Sequence, residues 1–493
     1  MTPDILFIHP NAARRIYQKL AESYSAIEPP IWAALLCNHC LKNSFRAEIL
    51  DAEAYGLSDD DIAFYVKDMK PKYTCFVVYG QQPSASTQNM EGAVSAAMLV
   101  KKICPETCVV FVGGHVSALY EEVLSKHDCI DMCCTNEGVN TLIQLLKYGD
   151  LFEVEGLAYR RGEAIVVNRP ASLAMLDDFC GMPWDKLPID KYRTALWHSL
   201  PNGSVRKPFA SLYTSLGCPF ACSFCMINSP FGGSSFRYWE PEVIIGEFSE
   251  LARRGINNIK IADEMFVLNE NHFMRLCELI IQRGYKFNIW CYARVDTVKE
   301  KYLETLKKAG VNYLALGIES ANTAVKHDVA KTNKVDPRLV VSQIHNAGIH
   351  VAANYIFGLP KDTLETMQET LSLAMELNTE MANFYSCMAY PGSALYRKAI
   401  ENEWELPSSY LGYSQHSYEC QPLPTEFCTS EEVLEFRDKA WRLYHENPAY
   451  LNMIESKFGS FASDEIKKST KIKLERRLLD GSFEREHTGC SEG

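Results

Sequence analysis

Three thiols stand close together in the stretch Ser215–Cys225, SLGCPFACSFC: Cys218, Cys222 and Cys225, at C-x3-C-x2-C spacing. Thiolates so near one another can hold three corners of one cubane iron–sulfur cluster. The fourth iron then has no protein ligand and is open to a small molecule. Zinc is the competing reading, but a structural zinc site wants four ligands, usually as two C-x2-C-like pairs. No second pair follows, and the next cysteine, Cys277, stands alone in a helical pattern. Chance core cysteines are the other competitor, and a turn holding Gly217 and Pro219 is a poor place for core packing.

The elements that must position this loop read as alternating strands and helices. Strands are expected at 4–9, 47–51, 74–79 and 108–112, with helices at 28–41, near 58–69 and at 88–103. Such alternation means βαβ units and a parallel sheet. Residues 1–150 therefore read as a doubly wound, Rossmann-like domain, whose ligands belong at the carboxyl ends of the strands. The loops there are 79–88 (with Ser84 and Ser86), 113–117 (Gly113, Gly114, His115) and 135–141 (Glu137, Gly138), with small residues that allow a large ligand to approach. Residues 151–205 read as a linker with a hairpin over 156–170. Over 206–405 the alternation resumes: six βα units imply a partial (β/α)6 TIM-like barrel, with chemistry at the strand ends. Those ends carry Asp263-Glu264, Arg294, Glu319-Ser320, Gly358 and Pro391-Gly392. Residues 406–493 read as a mainly helical region, with Ser430 as the N-cap of one helix, Lys467–Arg477 as a solvated basic face, and a disordered tail. The fold class is thus α/β, with two unequal sheets and a small helical end.

Composition narrows the classes. A formal net charge of −12 argues against a nucleic-acid backbone as partner. No apolar run reaches the roughly 18 residues of a membrane span. The first residues lack the basic start and apolar stretch of a signal peptide. Eighteen cysteines in a long chain without such a signal fit reduced thiols in the cytoplasm. Cys37 and Cys40 lie in a helical pattern and read as core, and nothing in the spacing of Cys420, Cys428 and Cys490 demands a function.

The cysteine motif, with Phe224 just before Cys225, resembles the signature of radical S-adenosylmethionine (SAM) enzymes. The resemblance implies a 4Fe-4S cluster on Cys218, Cys222 and Cys225. It implies SAM bound through its amino and carboxylate groups at the open iron and cleaved to a 5′-deoxyadenosyl radical. It also implies SAM contacts from Glu264 (Asp263 as runner-up), Arg294, Glu319, Ser320, and, beside adenine, Gly358 and Pro391. The order of segments before the motif, with Pro29-Pro30, Asp51, Gly113-Gly114 and Glu137-Gly138, resembles the cobalamin-binding domain of one class of these enzymes. That would place cobalamin against Ser84, Ser86, Gly113, Gly114, His115, Glu137 and Gly138. Two departures stand out: the D-x-H-x-x-G motif whose His coordinates cobalt is absent (Asp51–Gly56 has its end spacing, with Glu53 for His, but follows the second strand and reads as coincidence), and the usual GEGE reads Asn136-Glu137-Gly138-Val139. The expected activity is radical methylation of an unactivated carbon of a small molecule through methylcobalamin, with a flavodoxin or ferredoxin as electron donor. Cyclisation, rearrangement or oxidation with the same cofactors is the alternative. A non-enzymatic sensor and a methylthiotransferase are more distant readings. No residue is singled out as catalytic.

Overall fold

A computed structural model describes residues 2–80, 84–332 and 334–480 of the chain; Gln81–Pro83 of the first expected ligand loop, and the tail with Cys490, lie outside them. The first sheet runs β2-β1-β3-β4-β5-β6-β7. It comprises β1 (Ile5–His9), β2 (Ala47–Asp51), β3 (Tyr73–Val77), β4 (Cys108–Val112), β5 (Met132–Cys134), β6 (Leu157–Arg161) and β7 (Ala164–Val167). Its first five strands are parallel, and ILFIH of β1 is buried at every position, as a parallel strand covered by helices on both faces must be. The expected hairpin exists, but it is not free-standing: β6 pairs antiparallel with β5 and extends this sheet.

A second sheet of six parallel strands runs β15-β14-β13-β12-β11-β8 and remains open between β15 and β8. Its members are β8 (Phe209–Leu212), β11 (Asn258–Ile261), β12 (Asn288–Arg294), β13 (Val311–Glu319), β14 (His350–Phe357) and β15 (Met381–Ser386). The two-residue strands β9 (Ser215–Leu216) and β10 (Arg237–Tyr238) pair antiparallel beside the cysteine loop. Amphipathic helices such as Pro241–Arg253 and Glu300–Lys308 lie between strands as expected. One face of this curled half-barrel lines cavities.

The segment expected as a linker is packed. Phe179, Trp184 and Tyr192 are buried in the same apolar core as both sheets. Their polar neighbours are satisfied: Trp184 Nε1 donates to Glu247 (3.0 Å) and Tyr192 Oη to Asp51 (2.8 Å). Two buried ion pairs tie the sheets together. Glu28 takes Lys260 of β11 (3.0 Å) and the Ser211 hydroxyl (2.7 Å), and Glu137 takes Arg237 of β10 (2.5 Å). The C-terminal helix Ser430–His445 is capped by Thr429 with Glu432 in a reciprocal capping box, one residue earlier than the expected Ser430. The basic stretch after it is not a uniformly solvated face. Arg476 is buried and donates to Asp438 and to the carbonyls of Gln415 and Ser417.

Candidate functional site

The cysteine loop follows β8 and is clamped at both ends. Asp263, at the end of β11, accepts from the Thr214 amide (2.6 Å), the Thr214 hydroxyl (2.5 Å) and the Ser215 hydroxyl (2.7 Å). Gly217 adopts φ +85°, and a Cβ there would come within 2.5 Å of the Ser235 carbonyl, so only glycine serves. Asn228 closes the far side, accepting from the Cys218 amide (3.2 Å) and donating to the Cys218 carbonyl (2.9 Å). Cys218, Cys222 and Cys225 line one cavity of about 300 Å³, with Cys225 exposed. Among the described residues no three His, Cys, Asp or Glu side chains converge as ligands of a single ion. Three thiols around one cavity instead fit a cluster in which each holds a different iron.

Beside the thiols the cavity carries two carboxylates, Glu264 and Glu319, and two cations, Arg294 and Lys331. Burial, with Asp263 next to it, pushes the Glu264 carboxyl up to about 8, although its Oε2 accepts from the Gly217 amide (3.1 Å). The Arg294 guanidinium is held by Asp296 (2.9 and 3.0 Å) and lies 3.8 Å from the Phe220 ring centre, with Nη1 3.9 Å from the Cys222 sulfur. Glu319 sits at φ +66°, a sparsely populated conformation for a side chain of this size, and its Oε1 takes Lys331 Nζ at 2.6 Å. Burial pulls the Lys331 pKa down, but Glu319 and Cys222 outweigh it and raise it. Gly317 leaves room for that pair, since a Cβ there would lie 2.5 Å from Glu319 Oε1 and 2.9 Å from Lys331 Nζ. A ligand bearing an ammonium and a carboxylate finds a carboxyl acceptor in Glu264 and cationic donors in Arg294 and Lys331 here, so these residues fit SAM.

Sequence reasoning named Glu264, Arg294 and Glu319, and all three face the cavity. It also named Asp263, Ser320, Gly358 and Pro391, which do not line it. Asp263 is turned to Thr214 and Ser215. The Ser320 hydroxyl is buried against Thr370 (3.2 Å) and accepts from the Asn322 amide (3.1 Å). Gly358, at φ +77°, packs so tightly that a Cβ would meet Val433 at 2.4 Å, and Pro391 precedes a Gly392 turn pressed against Ser229. Lys331 and Gly317 were missed. The one legible signal was that Gly317 stands two residues before Glu319, although the strand is irregular between them.

The expected cobalamin residues divide in the same way. Ser84 lines both the thiol cavity and a larger one of about 670 Å³, which also takes Tyr17 and Gln88 from the first unit. Tyr385, Tyr390 and Gln415 also line both, so the two cavities adjoin across these side chains. Hydroxyl and amide groups at this edge fit a large amide-bearing cofactor. The remaining residues are engaged elsewhere. The loop expected over 113–117 is already helix from Gly114, and the first loop turns helical at Ala85. Ser86 donates to the Val78 carbonyl and accepts from the His115 amide. The Gly114 carbonyl accepts from Ser229 (3.1 Å), and a Gly113 Cβ would collide with the Val78 carbonyl. Glu137 is 1% exposed, its two oxygens committed to Arg237 and to the Ala174 amide, with Gly138 at φ +82° behind it. His115 faces Thr87 (3.2 Å) and the edge of Tyr410, and burial lowers its pKa to about 3. His9, the last residue of β1, went unnoticed in the sequence; its Nε2 lies 3.3 Å from Glu53.

Fold and site together define a half-barrel that presents a three-thiol cluster site at its strand ends, behind a doubly wound sheet. Residues 212–374 match the Radical SAM superfamily. The chain is 28% identical over 432 residues to an uncharacterised methyltransferase of Pyrococcus horikoshii, covering 86% of this chain and 89% of the relative. It is 25% identical over 452 residues to the anaerobic magnesium-protoporphyrin IX monomethyl ester cyclase of Cereibacter sphaeroides, covering 87% and 68%. In fold it is similar to the radical SAM methyltransferase TsrM of Kitasatospora setae, solved with cobalamin and a 4Fe-4S cluster, at TM-score 0.67 and 17% identity over 91% of this chain and 90% of that one. Among the described residues no helix is long and apolar enough to cross a membrane.

Proposed function

We propose that this chain is a cobalamin-dependent radical SAM enzyme that methylates an unactivated carbon of a small molecule. The observation that carries the reading is that the three-thiol cavity shares walls with the larger cavity, and that Ser84 of the first unit lines both. When bound, the cluster supplies the electron that cleaves SAM to methionine and a 5′-deoxyadenosyl radical, and cobalamin supplies the methyl group. Cys218, Cys222 and Cys225 would hold the cluster. Glu264 would accept from the SAM ammonium, Arg294 and Lys331 would meet its carboxylate side, and Glu319 its ribose hydroxyls. Ser84, Gln88 and Tyr17 would meet cobalamin. His115, neutral and engaged by Thr87, would give cobalt no ligand. A flavodoxin- or ferredoxin-like donor would supply the electrons. The aromatic walls at Tyr385 and Tyr390 would keep water from the radical.

The similarity to a cyclase supports a second reading, ring formation with the same cofactors. Anaerobic reconstitution with iron, sulfide and hydroxocobalamin, followed by turnover with SAM and reductant, tests both. The methylation reading expects 5′-deoxyadenosine and a product heavier by one CH2. Loss of two hydrogens without that gain would favour cyclisation. Retention of four irons and SAM cleavage by a Cys218→Ala/Cys222→Ala/Cys225→Ala protein would end both.

A further inference from the structure

Behind Tyr385 the larger cavity changes character. Its wall is formed by β15 and the helix Ser430–His445, and it contains a buried charge arrangement that the cofactor chemistry leaves unused. Arg437 is 6% exposed and lines the cavity. Its Nε donates to the Phe384 carbonyl (2.7 Å) and its Nη1 to Asp438 Oδ1 (2.7 Å). Asp438 is shared, because Arg476 also donates to both its oxygens (2.9 Å each) and is otherwise consumed by the Ser417 and Gln415 carbonyls (3.0 Å each). Two guanidinium groups thus rest on one carboxylate, a buried excess of one positive charge. Among the described residues, the Arg437 Nη2 has no hydrogen-bond partner.

This Nη2 is not sealed in the core but opens into the cavity, where a ligand acceptor can replace water on an already immobilised guanidinium. Its free N–H groups suit an oxygen of a carboxylate or phosphate, the acceptors that form charge-assisted hydrogen bonds. On the opposite wall, Lys260 is already neutralised by Glu28 (3.0 and 3.1 Å), so the unmatched charge is on the Arg437 side. Five cationic side chains and four carboxylates line this cavity, a local positive balance in a chain of net charge −12. The remaining walls are aromatic, with Tyr17, Trp197, Tyr385, Tyr390 and Trp441.

We propose that Arg437 anchors an acidic group of the substrate, and that the substrate is an organic acid with a bulky apolar or aromatic body. This rests on the reading that the substrate lies in the cavity beyond the thiols. The anchored end is set by Arg437 and Asp438, and the apolar body extends past Tyr385 toward the cluster.

The test uses the full chain and two fluorescent probes of equal bulk, 1-pyrenebutyrate and the neutral 1-pyrenebutanol. The carboxylate is expected to bind about tenfold or more tightly than the alcohol, the range of a charge-assisted hydrogen bond. Arg437→Gln should erase that preference while leaving alcohol binding in place. Inorganic phosphate should displace the acid but not the alcohol from the unsubstituted protein, a measurement that does not depend on the variant folding. Equal affinity for the two probes, or a preference that survives in Arg437→Gln, would overturn the site. So would loss of hydroxocobalamin retention in Arg437→Gln with pyrenebutyrate binding unchanged, since the anion would then be the cofactor's phosphodiester. SAM cleavage on the same reconstituted samples separates the failures. Its absence in the unsubstituted protein sinks the proposed function and leaves the acid site standing, whereas intact cleavage without the acid preference removes the site alone.

Discussion

Lys331 shows how a single side chain completes a site that spacing only outlines. It neutralises Glu319 inside the thiol cavity, across twelve residues of chain, from an irregular segment without periodicity. Lys331→Met leaves the cysteines in place but strands a buried carboxylate. Breaking a buried pair in this way costs about 3–5 kcal/mol of stability. SAM binding should weaken about tenfold or more, as for loss of a charge-assisted hydrogen bond, with four irons retained. Calorimetry on iron-loaded Lys331→Met and Glu319→Ala samples checks this, and parental SAM affinity in both would take the pair out of the site. The cysteine motif was legible because its chemistry depends on neighbours in sequence. The strand-end doublets were legible only as doublets. The doublets fall where the strands end, β11 at Ile261 and β13 at a Glu319 with φ +66°, and there Glu264 faces the cavity while Asp263 clamps the loop, and Glu319 faces it while Ser320 meets Thr370. Nothing in the order of letters says which member of a doublet points inward.

At the scale of elements, Gly358 separates a packing role from a binding one. Its turn after β14 presses on Val433 of the helix Ser430–His445, and a Cβ would lie 2.4 Å from Val433 Cγ1 at φ +77°. Gly358→Ala is therefore expected to destabilise the protein by about 1–3 kcal/mol through overpacking, with added backbone strain. SAM affinity of the folded fraction should remain parental. Chemical denaturation and SAM titration together decide it, and a selective loss of SAM binding would return Gly358 to the site. Strand order and the helices between strands followed from alternating apolar runs, because a parallel sheet buries whole strands. Contacts between distant elements did not. Arg476 belongs to a basic run that reads as solvated, yet it is buried on Asp438, which precedes it by 38 residues. The 151–205 segment lacks periodicity, yet its aromatic residues join the core one by one.

For the molecule as a whole, buried neutral histidines set the response to acid. Burial lowers His115 and His416 to about 3 and His198, His272 and His445 to about 4. The unfolded chain takes up these protons near pH 6.5, so between that pH and the depressed values it binds more protons than the folded chain. Stability is then full above about pH 6.5 and falls as pH drops below it. At one unit below, each such histidine costs about 1.4 kcal/mol. Thermal melts should show Tm falling between pH 7.5 and 5.5, with a shallower fall in His115→Gln/His416→Gln. An equal fall in parent and variant would contradict the buried neutral state, because the raised Glu264, Asp263 and Asp362 carboxyls, which act in the opposite sense, are common to both. The Glu137–Arg237 bridge bears on descent rather than on acidity. It runs from the doubly wound sheet to the strand flanking the cysteine loop, so acid and base must be inherited together. A hybrid that drew one half from each of two lineages would leave a bare charge buried beneath the cluster loop. The heritable module is therefore the joined pair of sheets, and neither half is a cassette that recombination can exchange alone.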